Sequence, residues 1–375
     1  MRLPGVISRT RTKSTSSASA DDSMGAERKS GLAAVDRSDF DVISLLGTGG
    51  YGEVKLVRYT RTGSLYAMKA VEKVKLHELR YGGDDIADHR AKVERDIGVL
   101  AREWYCPFIV EMLAAFQTDE KLYYIFEYCP GGELLRVLQE QPEGRLKEAD
   151  ARFFTAEICL ALVYIHASNI VHRDVRLENV LLAADGHLKL SDFGVAKAGF
   201  PSNGNARPSL VHGDSEAAEI FYPPEYCEGE AYGKDLDCWQ LGIATFAMLA
   251  GSLPERYVEA KNNAKHAEVA DSGWPTGLPG KISEMAIDFC KQLLDRQRES
   301  RLGFPDGASM LQGHAFFQVR PGFWEAMESK ALPPPQLVTK RRPSRLARPT
   351  IRDLCALKLF KLSSFSFYSQ ALQPA

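Results

Sequence analysis

The fold of this chain is decided by the sequence Ile170-Val-His-Arg-Asp-Val-Arg-Leu-Glu-Asn179, which Ser191-Asp-Phe-Gly194 follows within a strand's length. The two segments carry two acids, Asp174 and Asp192, and one amide, Asn179. Neighbouring strands would hold these three side chains face to face. One acid can orient or deprotonate a hydroxyl while an acid and an amide hold magnesium on a nucleotide triphosphate, so the pattern indicates phosphoryl transfer.

The composition is that of an ordinary soluble globular protein, with 45% apolar and 26% charged residues in a chain of 375. A formal net charge of -2 gives no overall field that would favour nucleic acid or an anionic membrane. The seven cysteines include no C-x-x-C pair, which argues against zinc fingers and a disulfide framework and indicates a reducing compartment. No apolar run approaches the roughly 20 residues that span a bilayer.

The two ends of the chain differ in composition from its middle. Residues 1–38 are rich in Ser, Ala, Arg and Lys and are predicted to be a disordered tail. An organelle transit peptide is the alternative, because residues 1–20 hold four basic residues and no acid. Residues 321–375 are basic and proline-rich and are predicted to be a second tail.

The glycines of Gly47-Thr-Gly-Gly-Tyr-Gly52 fit the spacing G-x-G-x-x-G, in which the absence of Cβ atoms lets backbone amides approach phosphate oxygens. A dinucleotide-binding loop has the same spacing but should open a helix. Here β-type residues continue to Tyr59, which favours a strand, a turn and a second strand. A glycine-rich hairpin without a ligand remains an alternative.

Two further segments have a clear pattern. Leu65-Tyr-Ala-Met-Lys-Ala-Val71 is an apolar strand with one lysine, Lys69, which in isolation would lie at an exposed edge. Residues 148–168 are predicted to form a helix, because apolar residues recur there at three- and four-residue steps and lead directly into the segment at 170–179.

Together these segments resemble, in order and spacing, the eukaryotic protein kinases over residues 40–317. The resemblance implies an α+β, two-lobed fold, with a small β-rich lobe holding one main helix at 39–129 and a larger, mainly helical lobe at 130–320. Arg301-Leu-Gly303 and Gly313-His-Ala-Phe-Phe317 are most similar to the cyclic-nucleotide- and phospholipid-dependent (AGC) group of serine/threonine kinases. By the same resemblance, residues 172–179 form the catalytic loop, Asp237 anchors this loop, and Arg301 pairs with Glu225.

The resemblance also assigns roles to individual residues. The catalytic residues would be Asp174, Arg176, Asn179 and Lys69, and the metal ligands would be Asn179 and Asp192. The ATP-binding residues would be Gly47, Thr48, Gly49, Gly50, Tyr51, Gly52, Val54, Ala67, Lys69, Glu94, Phe126, Glu127, Cys129 and Glu133. Among them Phe126 limits the depth of the pocket, Glu127 and Cys129 offer main-chain groups to adenine, and Glu94 pairs with Lys69 or is an ordinary residue on a helix surface.

Substrate recognition and regulation follow from the same comparison. Glu133 and Glu178 lie where related kinases bind arginine ahead of the phosphorylated residue. Arg176 departs from the usual lysine that faces the γ-phosphate, and a planar, larger cation is not a neutral replacement.

By resemblance, the activation segment follows Gly194 and runs to Tyr222-Pro-Pro-Glu225. Arg173 and Lys197 are expected to pair with an acid on this segment. Asp214 would supply that acid permanently, or phosphorylation of Ser215 would add about -1.5 to -2 charges. An ordinary solvated aspartate is the alternative reading of Asp214.

The sequence therefore predicts ATP- and Mg²⁺-dependent phosphorylation of serine or threonine in protein substrates with basic residues before the acceptor. The alternative is a weak or inactive pseudokinase that acts as a nucleotide-binding scaffold. We expect no nucleic-acid partner, a regulatory subunit or upstream kinase of unknown identity, and a cytoplasmic location. The basic tails are a weaker indication of nuclear or organellar targeting.

Overall fold

The computed structural model describes residues 35–49, 52–74, 106–199, 221–253 and 282–337. Several residues singled out in the sequence lie outside these ranges, namely Gly50, Tyr51, Glu94, Asp214 and Ser215. Their assigned roles stay predictions, as do those of residues 1–34 and 338–375.

In the described residues the small lobe is an antiparallel sheet of five strands. The strands are β1 (Phe40–Gly49), β2 (Gly52–Tyr59), β3 (Leu65–Glu72), β4 (Met112–Gln117) and β5 (Lys121–Glu127). They lie in the order β1-β2-β3-β5-β4. A strand and not a helix follows Gly52, so the dinucleotide-binding alternative is wrong.

The register of β2, β3 and β5 decides which side chains face the large lobe. Lys69 lies opposite Val54 on one neighbouring strand and Tyr124 on the other, and Ala67 lies opposite Phe126. Side chains alternate along a strand, so Ala67 and Lys69 project from the same face of β3. Lys69 therefore lies on a central strand of the sheet, with a paired strand on each side, and not at an exposed edge.

The described part of the large lobe is mainly helical. Its helices are α1 (Leu134–Gln139), α2 (Glu148–Ala167), α3 (Pro224–Cys227), α4 (Asp235–Ala250), α5 (Glu284–Leu293) and α6 (Phe323–Glu328). A small antiparallel sheet contains β6 (Gly132–Glu133), β7 (Val180–Leu182) and β8 (Leu188–Leu190). Single-turn and longer 3-10 helices cover Arg37–Asp39, Arg298–Ser300, Gly307–Gly313 and Ala315–Phe317.

Helix α2 confirms the predicted helix to within one residue of its C-terminal end. Its periodic residues Phe154, Ile158, Leu162 and Ile165 are all buried in the core of the large lobe. Burial of four such side chains stabilises the lobe by roughly 1.5–3 kcal/mol each. Since the chain leaves α2 directly for the segment at 170–179, this core fixes the starting point of that segment.

A buried ion pair ties the end of the lobe to α3 and α4. The guanidinium of Arg301 donates to both carboxylate oxygens of Glu225, at 2.6 and 3.0 Å, and to Asp235 at 3.2 Å. It also lies over the ring of Trp239, 4.8 Å from the ring centroid. The pair between Arg301 and Glu225 expected from the sequence is present.

The range 321–375 begins with packed structure. Phe323 and Met327 of α6 are buried in the core of the large lobe, and the Nζ of Lys330 donates to Asp185 at 3.3 Å. None of the helices in the described ranges has the length and apolarity needed to cross a bilayer. The two-lobed architecture predicted from the sequence is confirmed.

Candidate active site

A cavity of about 340 Å³ is lined by residues of both lobes. It brings together most of the site residues predicted from the sequence. Those that line it are Gly47, Thr48, Val54, Ala67, Lys69, Phe126, Glu127, Cys129, Glu133, Glu178, Asn179 and Asp192. Of the other described candidates, Gly52, Asp174 and Arg176 are not among the lining residues.

Lys69 and Asp192 connect the two lobes across this cavity. The Nζ of Lys69 donates to the Oδ1 of Asp192 at 2.8 Å, and the carboxylate is about half exposed, with 49% of its side-chain surface accessible. The charge of Lys69 lowers the pKa of the Asp192 carboxyl, and the N–H of Gly194 also donates to Oδ1, at 3.3 Å. Asp192 has a left-handed backbone, with φ at 59°, and these two contacts help to offset the strain of that conformation.

Asn179 and Asp174 form the second part of the site. The Nδ2 of Asn179 donates to the carboxylate of Asp174 at 2.6 Å and to its main-chain carbonyl at 2.9 Å. No hydrogen bond to the amide oxygen of Asn179 occurs among the described residues, so this oxygen is available as a ligand. Burial raises the pKa of the Asp174 carboxyl, which favours the form that holds a proton.

His172 positions Asp174 and does not act as a base. Its Nδ1 accepts a hydrogen bond from the N–H of Asp174 at 3.2 Å, so the ring proton is on Nε2, which donates to the carbonyl of Ser191 at 3.0 Å. The ring also contacts Phe193, with 4.7 Å between centroids. The imidazole therefore links the segment at 170–179 to the one at 191–194.

Asp237, in the first turn of α4, binds the backbone of the catalytic loop through its carboxylate. Its fully buried carboxylate accepts hydrogen bonds from the N–H groups of His172 and Arg173, both at 2.8 Å. The Nε2 of His166 donates to the same carboxylate at 2.8 Å, while its Nδ1 accepts from the N–H of Ala308. The N–H groups of His172 and Arg173 are thus both bound by one buried carboxylate, which helps to hold Arg173 at a positive φ of 68°.

The hinge, the segment from Glu127 to Cys129 that connects the two lobes, lines the cavity. The carboxylate of Glu127 turns away from the cavity to Lys189, at 2.7 Å, and accepts from the N–H of Glu111 at 2.8 Å. The Cys129 thiol is buried, which raises its pKa to about 12 and keeps it protonated. Within the described residues nothing accepts a hydrogen bond from the Cys129 N–H, so this group can serve a bound base.

Arg173 and Lys197 lie next to each other at the start of the activation segment. The side chain of Arg173 donates to the carbonyl of Val195 at 2.6 Å and to the hydroxyl of Tyr232 at 3.2 Å. Lys197 pairs with Val171 through the backbone, and burial together with the charge of Arg173 lowers its pKa. The predicted acidic partners of these cations, Asp214 and Ser215, are outside the described residues.

The two acids predicted to bind substrate arginine both have an arginine of the chain as a neighbour. Glu133 pairs with Arg136, one turn along the chain, at 3.1 Å. Glu178 is hydrogen-bonded to Arg176, whose guanidinium lies over the ring of Phe221, 4.6 Å from the centroid. Arg176 is therefore directed at Glu178 and Phe221, and not toward the cavity.

Several lining residues were not identified from the sequence. They are Leu46, Val110, Tyr128, Pro130, Gly132, Arg136, Leu181, Ser191 and Phe193. Leu181 could have been predicted from the sequence, because it lies two residues after Asn179, and side chains two positions apart in an extended segment project to the same side. Val110 could not have been predicted from the sequence, since its position depends on a backbone hydrogen bond to the distant Leu190.

Replacement of Lys69 by Met is expected to raise the pKa of Asp192. The ammonium group favours the ionised carboxylate, so its removal shifts the equilibrium toward the protonated acid. Carbon NMR of the side-chain carboxyl, assigned by its loss in Asp192→Asn, measures the shift. Lys55→Met is the matched control, because Lys55 pairs with Glu53 on the surface of β2, at 2.6 Å. An unchanged Asp192 titration in Lys69→Met would contradict the proposed contact.

Comparison with known proteins identifies the family. Residues 40–317 match the family model described as "Protein kinase domain", and the chain belongs to this family. It is similar to "Protein kinase C zeta type" of Oryctolagus cuniculus, with 36% identity over 306 residues that cover 79% of this chain and 48% of the relative. It is also similar to "Serine/threonine-protein kinase nrc-2" of Neurospora crassa, with 34% identity over 76% of this chain and 48% of the relative.

A third relative is "Protein kinase C-like 1" of Caenorhabditis elegans, which is 33% identical over 79% of this chain and 39% of its own length. The chain thus spans less than half the length of each of these relatives. The matches confirm the resemblance to serine/threonine kinases of the AGC type. A protein kinase domain implies the use of ATP together with a divalent metal, and protein substrates.

Proposed function

We propose that the chain is a serine/threonine protein kinase that transfers the γ-phosphoryl group of ATP, as its Mg²⁺ complex, to protein substrates. The observation that carries the proposal is the 2.8 Å contact between Lys69 of the small lobe and Asp192 of the large lobe in the shared cavity. A cation from one lobe and an acid from the other are the groups needed to hold a triphosphate and its metal.

The residues present fit a magnesium ion. Asp192 offers a carboxylate that is about half exposed, and Asn179 offers an amide oxygen without a hydrogen bond in the described residues. Magnesium prefers oxygen ligands and is usually bound by one or two carboxylates together with substrate phosphates. When bound, the metal neutralises charge that develops on the transferred phosphoryl group.

The chain's own side chains have three tasks in this proposal. Lys69 holds phosphate oxygens once its contact with Asp192 is shared with the nucleotide. Val54, Ala67 and Phe126 provide an apolar surface for the base, and the N–H of Cys129 donates to it. These contacts fix the position of the nucleotide, and positioning accounts for a large part of the rate enhancement in such reactions.

Asp174 is proposed to orient the substrate hydroxyl and to accept its proton. Its carboxylate is held by Asn179 at 2.6 Å, and its backbone is held by the ring of His172. Both contacts reduce the freedom of the carboxylate, so the acceptor hydroxyl meets a fixed oxygen atom. Burial raises its pKa, which makes it a better proton acceptor than an ordinary aspartate.

The proposal extends to substrates and control. Glu133 is proposed to bind a basic residue ahead of the acceptor, because its ion pair with Arg136 is solvent-exposed and exposed pairs are weak, about 0–1 kcal/mol. Arg173 and Lys197 are proposed to bind an acid at Asp214 or a phosphate on Ser215, with an upstream kinase or regulatory subunit as the partner. A cytoplasmic location is supported by the cysteine usage of the sequence.

The test is transfer of labelled phosphate from Mg·ATP to a basic serine peptide by the full chain, with Asp192→Ala as control. Wild type should incorporate label, and the variant should lose about 10²- to 10³-fold or more in rate. Equal incorporation by both proteins would show that the signal comes from a contaminating enzyme. Binding of ATP by the wild type without transfer would instead support the pseudokinase scaffold.

A further inference from the structure

Arg176 and Glu178 form a hydrogen-bonded ion pair at the edge of the cavity. The NH2 group of Arg176 donates to the Oε1 of Glu178, and the two side chains are each about one third exposed. The face of the guanidinium lies over Phe221, which packs against the buried cluster of Trp239, Ile243 and Leu294. A residue two positions away and an aromatic ring from a distant segment thus hold the cation in one orientation.

We infer that Arg176 is a specificity-determining residue of the proposed kinase: it occupies Glu178 from within the chain, so that Glu178 does not select for arginine in the substrate. The inference rests on the proposed function and narrows its substrate class. Glu133 then binds the basic residue that precedes the acceptor in the substrate. The substrate position that faces Glu178 accepts uncharged residues as well as arginine.

Charge and geometry both support this assignment. A carboxylate already paired with a guanidinium has little net charge to offer a second one, and a substrate arginine would have to displace the first. Arg176 resists displacement, because Phe221 stacks on it and stacked guanidinium groups lose favourable contact when they turn away.

Glu133 and Glu178 are about equally exposed, and the contrast between the two pairs lies in their arginines. The side chain of Arg136 is 55% accessible and lies on the surface of α1, where no ring stacks on it among the described contacts. Its pair joins it to Glu133, the residue that precedes α1, three positions earlier in the chain, and solvent screens such an exposed pair readily. Glu133 can therefore exchange Arg136 for a substrate cation, whereas Glu178 keeps Arg176.

The experiment measures kcat/KM for serine peptides that carry either arginine or alanine at each position before the acceptor. For wild type, Glu178→Gln is expected to leave every arginine-to-alanine ratio unchanged. For Arg176→Gln, which frees the carboxylate, one position should gain a preference for arginine of about tenfold or more. Addition of Glu178→Gln to that variant should remove the gain. Each ratio is taken within one protein, so a change in overall rate cancels.

Two further measurements keep the inference falsifiable. Binding of fluorescent peptides with alanine as acceptor, in the presence of Mg·ADP, gives the same ratios if Arg176→Gln has little turnover. Phe221→Leu, which keeps an apolar side chain but removes the stacking ring, should give an intermediate preference. A Phe221→Leu protein with the wild-type ratios would show that stacking does not hold Arg176, and would overturn this part of the inference.

The opposing results are distinct. If wild type already prefers arginine at one position and Glu178→Gln abolishes that preference, nucleotide binding has drawn Arg176 away and the inference is wrong. If Arg176→Gln changes KM for ATP but no peptide ratio, Arg176 serves the phosphates instead. Absence of transfer by wild type to every peptide would overturn the proposed kinase function itself, and not only this assignment.

Discussion

Replacement of Asp174 by Asn is expected to lower kcat for peptide phosphorylation by about 10²- to 10⁴-fold, the usual contribution of a positioned general base. Asparagine has nearly the same shape, and its side-chain oxygen can still accept the hydrogen bond that Asn179 donates at 2.6 Å. It cannot accept a proton from the substrate hydroxyl. The loss should therefore appear in kcat, while the affinity for ATP, whose proposed contacts are made by other residues, should change little.

Steady-state kinetics and ATP binding by calorimetry measure these two quantities. Asp185→Asn is the matched control, because Asp185 lies in the turn between β7 and β8 and pairs with Lys330 at 3.3 Å, away from the catalytic loop. It should keep the wild-type kcat. A kcat for Asp174→Asn within about tenfold of wild type, with the control also unchanged, would remove Asp174 from the chemical step.

Replacement of Arg301 by Met is expected to lower the free energy of unfolding by about 3–5 kcal/mol. Arg301 is 2% exposed and is bonded to both oxygens of Glu225 and to Asp235. Its removal leaves two buried carboxylates with one cation, Arg298, which donates to Asp235 at 2.9 and 3.0 Å. Methionine fills part of the apolar volume, so the expected loss comes mainly from the unpaired charge on Glu225.

Urea unfolding followed by tryptophan fluorescence measures this free energy. The control is Arg61→Met, which breaks an ion pair with Asp39 on the surface of the small lobe and should cost less than about 1 kcal/mol. Arg301→Lys keeps the charge but loses the two-pronged geometry, so its stability should fall between wild type and Arg301→Met. Equal stabilities for Arg301→Met and Arg61→Met would mean that the buried pair does not stabilise the lobe.

The resemblance to protein kinases, carried by the order and spacing of the motifs, was sufficient to predict the two lobes. The β-type residues after Gly52 predicted β2, and the apolar period of residues 148–168 predicted α2, because both patterns are local and each side chain's partner lies a fixed number of positions away. The placement of Asp237 beneath the catalytic loop and the pair of Arg301 with Glu225 followed from resemblance, and the structure contains both.

The orientation of individual side chains was harder to predict from the sequence. Glu127 was expected to contribute main-chain groups at the hinge, and nothing in its neighbourhood along the chain indicated that its carboxylate would bind Lys189, 62 positions later. Val110 enters the cavity lining because β8 binds it through Leu190, a contact between residues far apart in sequence. Residues 321–375 were predicted to be a basic, proline-rich tail, yet Phe323 and Met327 in the described part of this range are buried. Two apolar residues in a short helix are too weak a pattern to predict packing.

The sequence by itself determined which chemical groups this protein has for its proposed reaction, namely Lys69, Asp174, Asn179 and Asp192, and the order in which strands and helices present them. Tertiary structure decided which of these groups are in contact and which are already paired. Lys69 meets Asp192 because β3 of the small lobe approaches the segment that follows β8. Arg176 meets Phe221 because the chain returns to the catalytic loop 45 residues later. Contacts of this kind depend on how distant segments pack, and local patterns along the chain do not contain that information.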